Sequence, residues 1–215
     1  MDKDQVLQRI HEVGLIPVLR AQSAAEALQL ANAIAAGGVS VLEVTMTVPG
    51  AVDVIRKIVK HSGDRILVGA GTVMDPETAR ACMLAGAQFI VSPSLNLKTI
   101  DFCRREGVPV FPGALTPTEI VTAWDAGADA VKVFPCSAVG GAKYLKALKA
   151  PLPQIELIPT GGVSLTTAAE FLAAGAFALG VGGDLVDSAA IARGELEIIT
   201  RNAEKYLEIV KAARY

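Results

Sequence analysis

The chain has 215 residues, 52% of them apolar and 20% charged, with a formal net charge of −2. That balance excludes intrinsic disorder, which needs few apolar residues and many charges, and it offers no cationic footprint for DNA, RNA or an anionic membrane surface. The longest charge-free stretch, residues 81–97, is broken by Gln88, Ser92, Pro93, Ser94 and Asn96, whereas a spanning helix needs about 20 mostly apolar residues.

Taken in chain order, short β-branched runs alternate with longer Ala-rich amphipathic segments. A strand is expected at 15–19 and a helix at 24–36, then strand 41–45 and helix 50–60, strand 66–69 and helix 76–85, strand 89–92 and helix 98–106. The second half continues with strand 109–111 and helix 117–126, strand 130–134 and helix 142–149, strand 156–159 and helix 165–174. A last strand at 178–181 precedes helices at 185–191 and 195–213. Asp75 before Pro76, and Thr116 before Pro117 with Glu119 following, are N-cap signatures. Glycines 37, 86, 127 and 175 close helices, and an Ala-Gly-Ala triplet recurs after three of them.

Eight strands, each followed by a helix, imply a parallel sheet, and 215 residues suit a compact α/β fold: a (β/α)8 TIM barrel forming a single domain over residues 1–215. An open doubly wound sheet is the competing architecture. Against it, no G-x-G-x-x-G follows the first strand, and the glycine turns fall after strands seven and eight, where barrels commonly hold phosphate. The three cysteines, Cys82, Cys103 and Cys136, are odd in number and far apart, so they read as reduced thiols. With an acidic start, Met1-Asp2-Lys3-Asp4, that lacks an apolar run, they lead us to expect a cytoplasmic enzyme.

In a barrel, chemistry sits at the C-terminal ends of the strands. Lys132 lies between valines in the sixth strand, where burial disfavours the ammonium form and favours a nucleophilic amine able to form a Schiff base; the alternative is a strand-end lysine that snorkels to water. Glu43 lies between Leu42 and Val44 in the second strand and shares a face with Thr45. It is a candidate proton shuttle, or else the partner of Lys132 in a structural ion pair. Thr160-Gly161-Gly162 and Gly182-Gly183 end the last two strands, where backbone N–H groups and a helix start favour a phosphate. Arg20 closes the first strand and suits a carboxylate or phosphate. Gly69-Ala70-Gly71-Thr72 leaves a hydroxyl at the mouth, and Pro93 and Phe134 offer apolar wall. His11 and His61 fall away from strand ends and from each other, so neither a metal nor a cofactor is expected.

The set Ile16-Pro17-Val18-Leu19-Arg20, Leu42-Glu43-Val44-Thr45, Gly69-Ala70-Gly71-Thr72-Val73, Ile90-Val91-Ser92-Pro93, Phe111-Pro112-Gly113, Val131-Lys132-Val133-Phe134-Pro135 and Pro159-Thr160-Gly161-Gly162-Val163 resembles, in order and over nearly the whole chain, the class I aldolases acting on 2-keto-3-deoxy-6-phosphogluconate (KDPG) and 4-hydroxy-2-oxoglutarate. The resemblance implies a lyase that splits KDPG reversibly into pyruvate and glyceraldehyde 3-phosphate. It implies Lys132 as the Schiff-base residue and Glu43 as general acid/base, with Thr72 and Thr160 near the pyruvyl carboxylate. It further implies that Pro93 and Phe134 line the pocket, that both glycine turns hold the phosphate, and that the assembly is a homotrimer. Two departures bear on substrate preference, including the galactonate epimer and the unphosphorylated substrate. Thr47 stands where many members have Arg, and Gly183 stands where a Ser is often found, followed by Asp184. The rival readings are a sugar-phosphate isomerase or synthase barrel, which has no use for Lys132, and a non-catalytic barrel that binds sugar phosphate.

Overall fold

The computed structural model describes residues 1–187, 190, 191 and 193–214. Its strands are β1 (Leu15–Leu19), β2 (Val41–Thr45), β3 (Leu67–Gly71), β4 (Ile90–Val91), β5 (Val110–Phe111), β6 (Gly113–Ala114), β7 (Val131–Val133), β8 (Leu157–Pro159) and β9 (Leu179–Val181). Its α-helices include α1 (Lys3–Val13), α2 (Ala24–Ala36), α3 (Ala51–Ser62), α4 (Pro76–Leu84), α5 (Leu97–Arg105), α6 (Pro117–Asp125), α7 (Ala142–Lys149), α8 (Ala168–Ala173) and α9 (Leu196–Arg214), with 3-10 turns at Gly63–Arg65 and Cys136–Val139. The helix expected at 185–191 includes residues 188 and 189, which lie outside the described residues.

Every strand pairing is parallel. One sheet runs β5-β4-β3-β2-β1-β9 and the other β6-β7-β8. Two joints close them into a ring. At one, the fifth expected strand continues beyond residue 111 but is split into β5 and β6 by Pro112, which has no N–H for the ladder; its carbonyl still accepts the N–H of Lys132 at 2.9 Å. At the other, Thr160 and Gly180 form a parallel bridge between the ends of β8 and β9. The result is the expected eight-stave (β/α)8 barrel.

Side-chain alternation divides the core into two shells. Leu42, Val44, Val68, Ala70, Val131 and Val133 point outward into the layer shared with the helices. Ile16, Val41, Leu67, Phe89, Phe111 and Ile158 point inward and fill the lower barrel. Because period two is strict, Glu43 and Thr45 follow Val41 into the interior, and Lys132 and Phe134 follow Ala130.

Helix α1 is an element the sequence reading does not contain. Asp2 caps it reciprocally with Gln5, Lys3 pairs with Asp129 at 2.6 Å, and buried Val6 and Ile10 join the inner shell. It therefore plugs the end of the barrel opposite the strand C-termini. Helix α8 starts later than the 165 expected, because Ser164 N–H bonds to Thr167 Oγ1 and Thr167 Oγ1 donates to the Gly162 carbonyl, a local side-chain arrangement that competes with the first helical turn.

Candidate active site

Lys132 and Glu43 are both buried inside the barrel, with side chains 7% and 3% exposed, and Lys132 Nζ stands 3.8 Å from Glu43 Oε1. That separation carries Coulomb attraction but exceeds a hydrogen bond. Consistently, Glu43 Oε1 makes no hydrogen bond, so a buried acceptor faces the lysine with its lone pairs unclaimed. Burial pushes the Glu43 carboxyl above its ordinary range, and the charges of Lys132 and Arg20 pull it back. The snorkelling alternative for Lys132 does not describe this side chain, whose Nζ lies 5.4 Å from the Phe134 ring centroid.

Glycine makes the room for this pair. A Cβ on Gly71 would lie 1.9 Å from Glu43 Oε1, so the carboxylate occupies space that any other residue at 71 would fill. Gly180 does the same for Thr160, whose Oγ1 sits 2.1 Å from where a Cβ would stand, and Gly113 for the Pro93 backbone at 2.2 Å. Thr72, next to Gly71, holds a left-handed φ of 59°, a conformation that a β-branched residue adopts only when its surroundings impose it.

At the C-terminal strand ends lie two adjoining cavities of about 520 and 680 Å³, which share Val18, Arg20, Gly182 and Gly183 and are lined by neither Lys132 nor Glu43. Thr160, Gly161, Gly162, Ser164, Phe134 and Asp184 line the smaller one. Thr47 lines the larger. Gly161 and Gly162 take φ of 89° and 77°, which glycine adopts without strain, whereas a Cβ on Gly182 or Gly183 would meet open space. The N–H groups of Gly162 and Gly183 find no acceptor among the described residues, leaving them free for an anion.

Thr45 is inside the barrel, but its hydroxyl donates to the Leu19 carbonyl at 3.1 Å and bonds Thr47 Oγ1 at 2.6 Å. It ties β2 to β1 and holds Thr47 at the rim. The three thiols are buried and free, and burial raises Cys82 and Cys136 to about 11 and Cys103 to about 12, so they stay protonated. His11 stacks on Phe177, 5.1 Å between centroids. Among the described residues, no cluster of three His, Cys, Asp or Glu side chains has the arrangement to hold a metal, and no helix is long and apolar enough to cross a membrane.

Three contributors are not legible as site residues in the sequence: Val18, which looks like plain core; Gly71 as the space for Glu43; and Tyr206, whose hydroxyl donates to Asp184 Oδ2 at 2.5 Å. The signal for Gly71 is its place on the inward face of β3, opposite Thr45 in the register.

A closed parallel barrel with a lysine and a glutamate buried at its strand ends, beneath glycine turns that offer free N–H groups, is the layout of a small-molecule enzyme. The chain belongs to the KDPG and KHG aldolase family, whose model matches residues 6–202. It is 35% identical to a 2-dehydro-3-deoxy-phosphogluconate aldolase of Treponema pallidum, over 95% of this chain and 97% of the relative. It is 37% identical to a 2-dehydro-3-deoxy-6-phosphogalactonate aldolase of Escherichia coli, over 94% and 96%. A KDPG aldolase structure from Legionella pneumophila, with pyruvate captured as a covalent carbinolamine, superposes with a TM-score of 0.86 at 31% identity, covering 93% of this chain and 97% of that one.

Proposed function

We propose that this enzyme is a class I aldolase that reversibly cleaves KDPG to pyruvate and glyceraldehyde 3-phosphate. The observation that carries the reading is the buried Lys132–Glu43 pair with its 3.8 Å gap. Glu43 takes the ammonium proton of Lys132, the freed amine adds to the C2 carbonyl, and Glu43 returns that proton so that the carbinolamine loses water. As carboxylate, Glu43 then takes the C4 hydroxyl proton while the C3–C4 bond breaks. The bonding electrons pass into the iminium, leaving an enamine, and the aldehyde departs. Protonation at C3 regenerates an iminium, which water hydrolyses to pyruvate and free lysine. A carboxyl whose pKa is raised by burial suits this alternation of acid and base.

In this reading Thr72 and Thr160 flank the pyruvyl carboxylate, Arg20 supplies the positive charge that Thr47 does not, Pro93 and Phe134 form the wall, and Gly161, Gly162, Gly182 and Gly183 receive the phosphate. Thr45 acts by holding Thr47 rather than by touching substrate. The same site has the groups for 4-hydroxy-2-oxoglutarate. The enzyme works as a cytoplasmic homotrimer of single-domain subunits, for which light scattering should give three times the chain mass. The testing experiment offers KDPG, its C4 epimer and 4-hydroxy-2-oxoglutarate separately and measures pyruvate release. KDPG should give the highest kcat/KM; release from neither phosphorylated acid would refute the assignment.

A further inference from the structure

The charge of Asp184, at the second glycine turn, is the least expected feature of a phosphate cavity, and the structure shows where that charge is held. Its Oδ2 accepts the Tyr206 hydroxyl at 2.5 Å and the Leu165 N–H at 3.2 Å. Leu165 belongs to the segment that carries the first glycine turn. That segment is internally fixed, since Thr167 Oγ1 both accepts from Ser164 N–H and donates to the Gly162 carbonyl. The second turn is fixed likewise, as the N–H groups of Leu185 and Val186 both bond to the Gly182 carbonyl. Below the turns, Thr160 and Gly180 bridge the strands. Above that bridge, among the described residues, the hydrogen bond joining the two turns runs through one carboxylate oxygen. Tyr206, fully buried on α9, anchors that oxygen from behind, and burial together with the Asp184 bond keeps its hydroxyl protonated as a donor.

We propose that Asp184 and Tyr206 are positioning residues that set the separation of the two glycine turns, and so the width of the cradle that receives the substrate phosphate. This inference rests on the aldolase reading of the site, which it extends to the C-terminal helix. The carboxylate serves as a bridging acceptor: its Oδ2 is held by Tyr206 and Leu165, while the residue itself remains exposed at the cavity. Because both bonds end on one oxygen, an amide oxygen at the same position can receive both.

That geometry separates bridging from charge. D184N keeps the bridge and removes the charge; D184A removes both; Y206F leaves only the Leu165 bond. The full-length protein and each variant are titrated with inorganic phosphate by calorimetry, and kcat and KM are measured with KDPG. D184A should weaken phosphate binding and raise KM about tenfold or more, the scale of losing hydrogen bonds to a charged group, with kcat changed by less than about threefold. Y206F should move the same quantities by about threefold, and D184N should hold the wild-type values or improve on them. Should D184A not fold, Y206F and D184N decide the matter. Tighter phosphate binding in both D184N and D184A would show repulsion in place of bridging and overturn the proposal. So would unchanged values in D184A, equal losses in D184N, or a wild-type enzyme that binds no phosphate. A wild type that binds phosphate yet does not cleave KDPG refutes the aldolase reading alone, and the calorimetry still judges the bridge.

Discussion

Replacing Gly71 with Ala adds one methyl group at the spot where Glu43 rests. The added carbon would stand 1.9 Å from Oε1, 2.5 Å from Cδ and 2.7 Å from Cγ of Glu43. Non-bonded carbon contacts settle near 3.5–4.0 Å, so the carboxylate must give way by roughly 1.5 Å. The nearest atoms to the new methyl all belong to Glu43, which makes that side chain the one to move. A catalytic group misplaced by about 1 Å costs on the order of 10²-fold, and overpacking costs about 1–3 kcal/mol of stability. G71A should therefore fold and still form the pyruvate adduct at Lys132, while kcat in a lactate-dehydrogenase-coupled assay falls about 10²-fold. A double-mutant cycle isolates the route of the effect: added to E43A, G71A should cost little more. A folded G71A with wild-type turnover, or one equally damaging without Glu43, would refute the argument.

Other consequences are equally direct. E43Q should slow turnover by about 10²-fold or more, the range for a general acid/base group, and should remove the acidic limb of the kcat/KM profile. That limb should lie above the ordinary carboxylate range, because burial raises Glu43. The sign for Arg20 follows from its charge: since Arg20 lowers the Glu43 pKa, R20Q should move the limb to higher pH, and a downward or absent shift would count against their coupling. Ile10, fully buried under the barrel, should cost about 2–5 kcal/mol on truncation to Ala, read from urea unfolding; a loss well below 1 kcal/mol would mean that α1 is not a structural plug.

Much of the fold is legible because burial on both faces writes it into the strands. Runs such as Val41–Thr45 and Val131–Val133 are apolar on the outward face regardless of function, so a charge on the inward face stands out, and Lys132 and Glu43 are found that way. What the sequence conceals depends on three-dimensional closeness. Pro112 reads as a strand end, yet the chain runs on beyond it because the carbonyl alone sustains the pairing with Lys132. Helix α1 precedes the first strand, outside the strand–helix alternation that marks the other helices, and its value lies in the barrel end it covers. Thr45 shares the interior face with Glu43, but only the fold shows Leu19 O and Thr47 taking its hydroxyl. Tyr206 is 22 residues beyond Asp184 in the chain, and no local pattern joins them.

In the proposed mechanism Lys132 forms a covalent bond to the substrate carbonyl. Incubation with pyruvate, reduction with borohydride and peptide mass mapping read it directly. A stable adduct on the peptide carrying Lys132 is expected, and it should disappear in K132M; an unmodified wild-type protein, or an adduct that persists in K132M, would rule out the covalent step at Lys132.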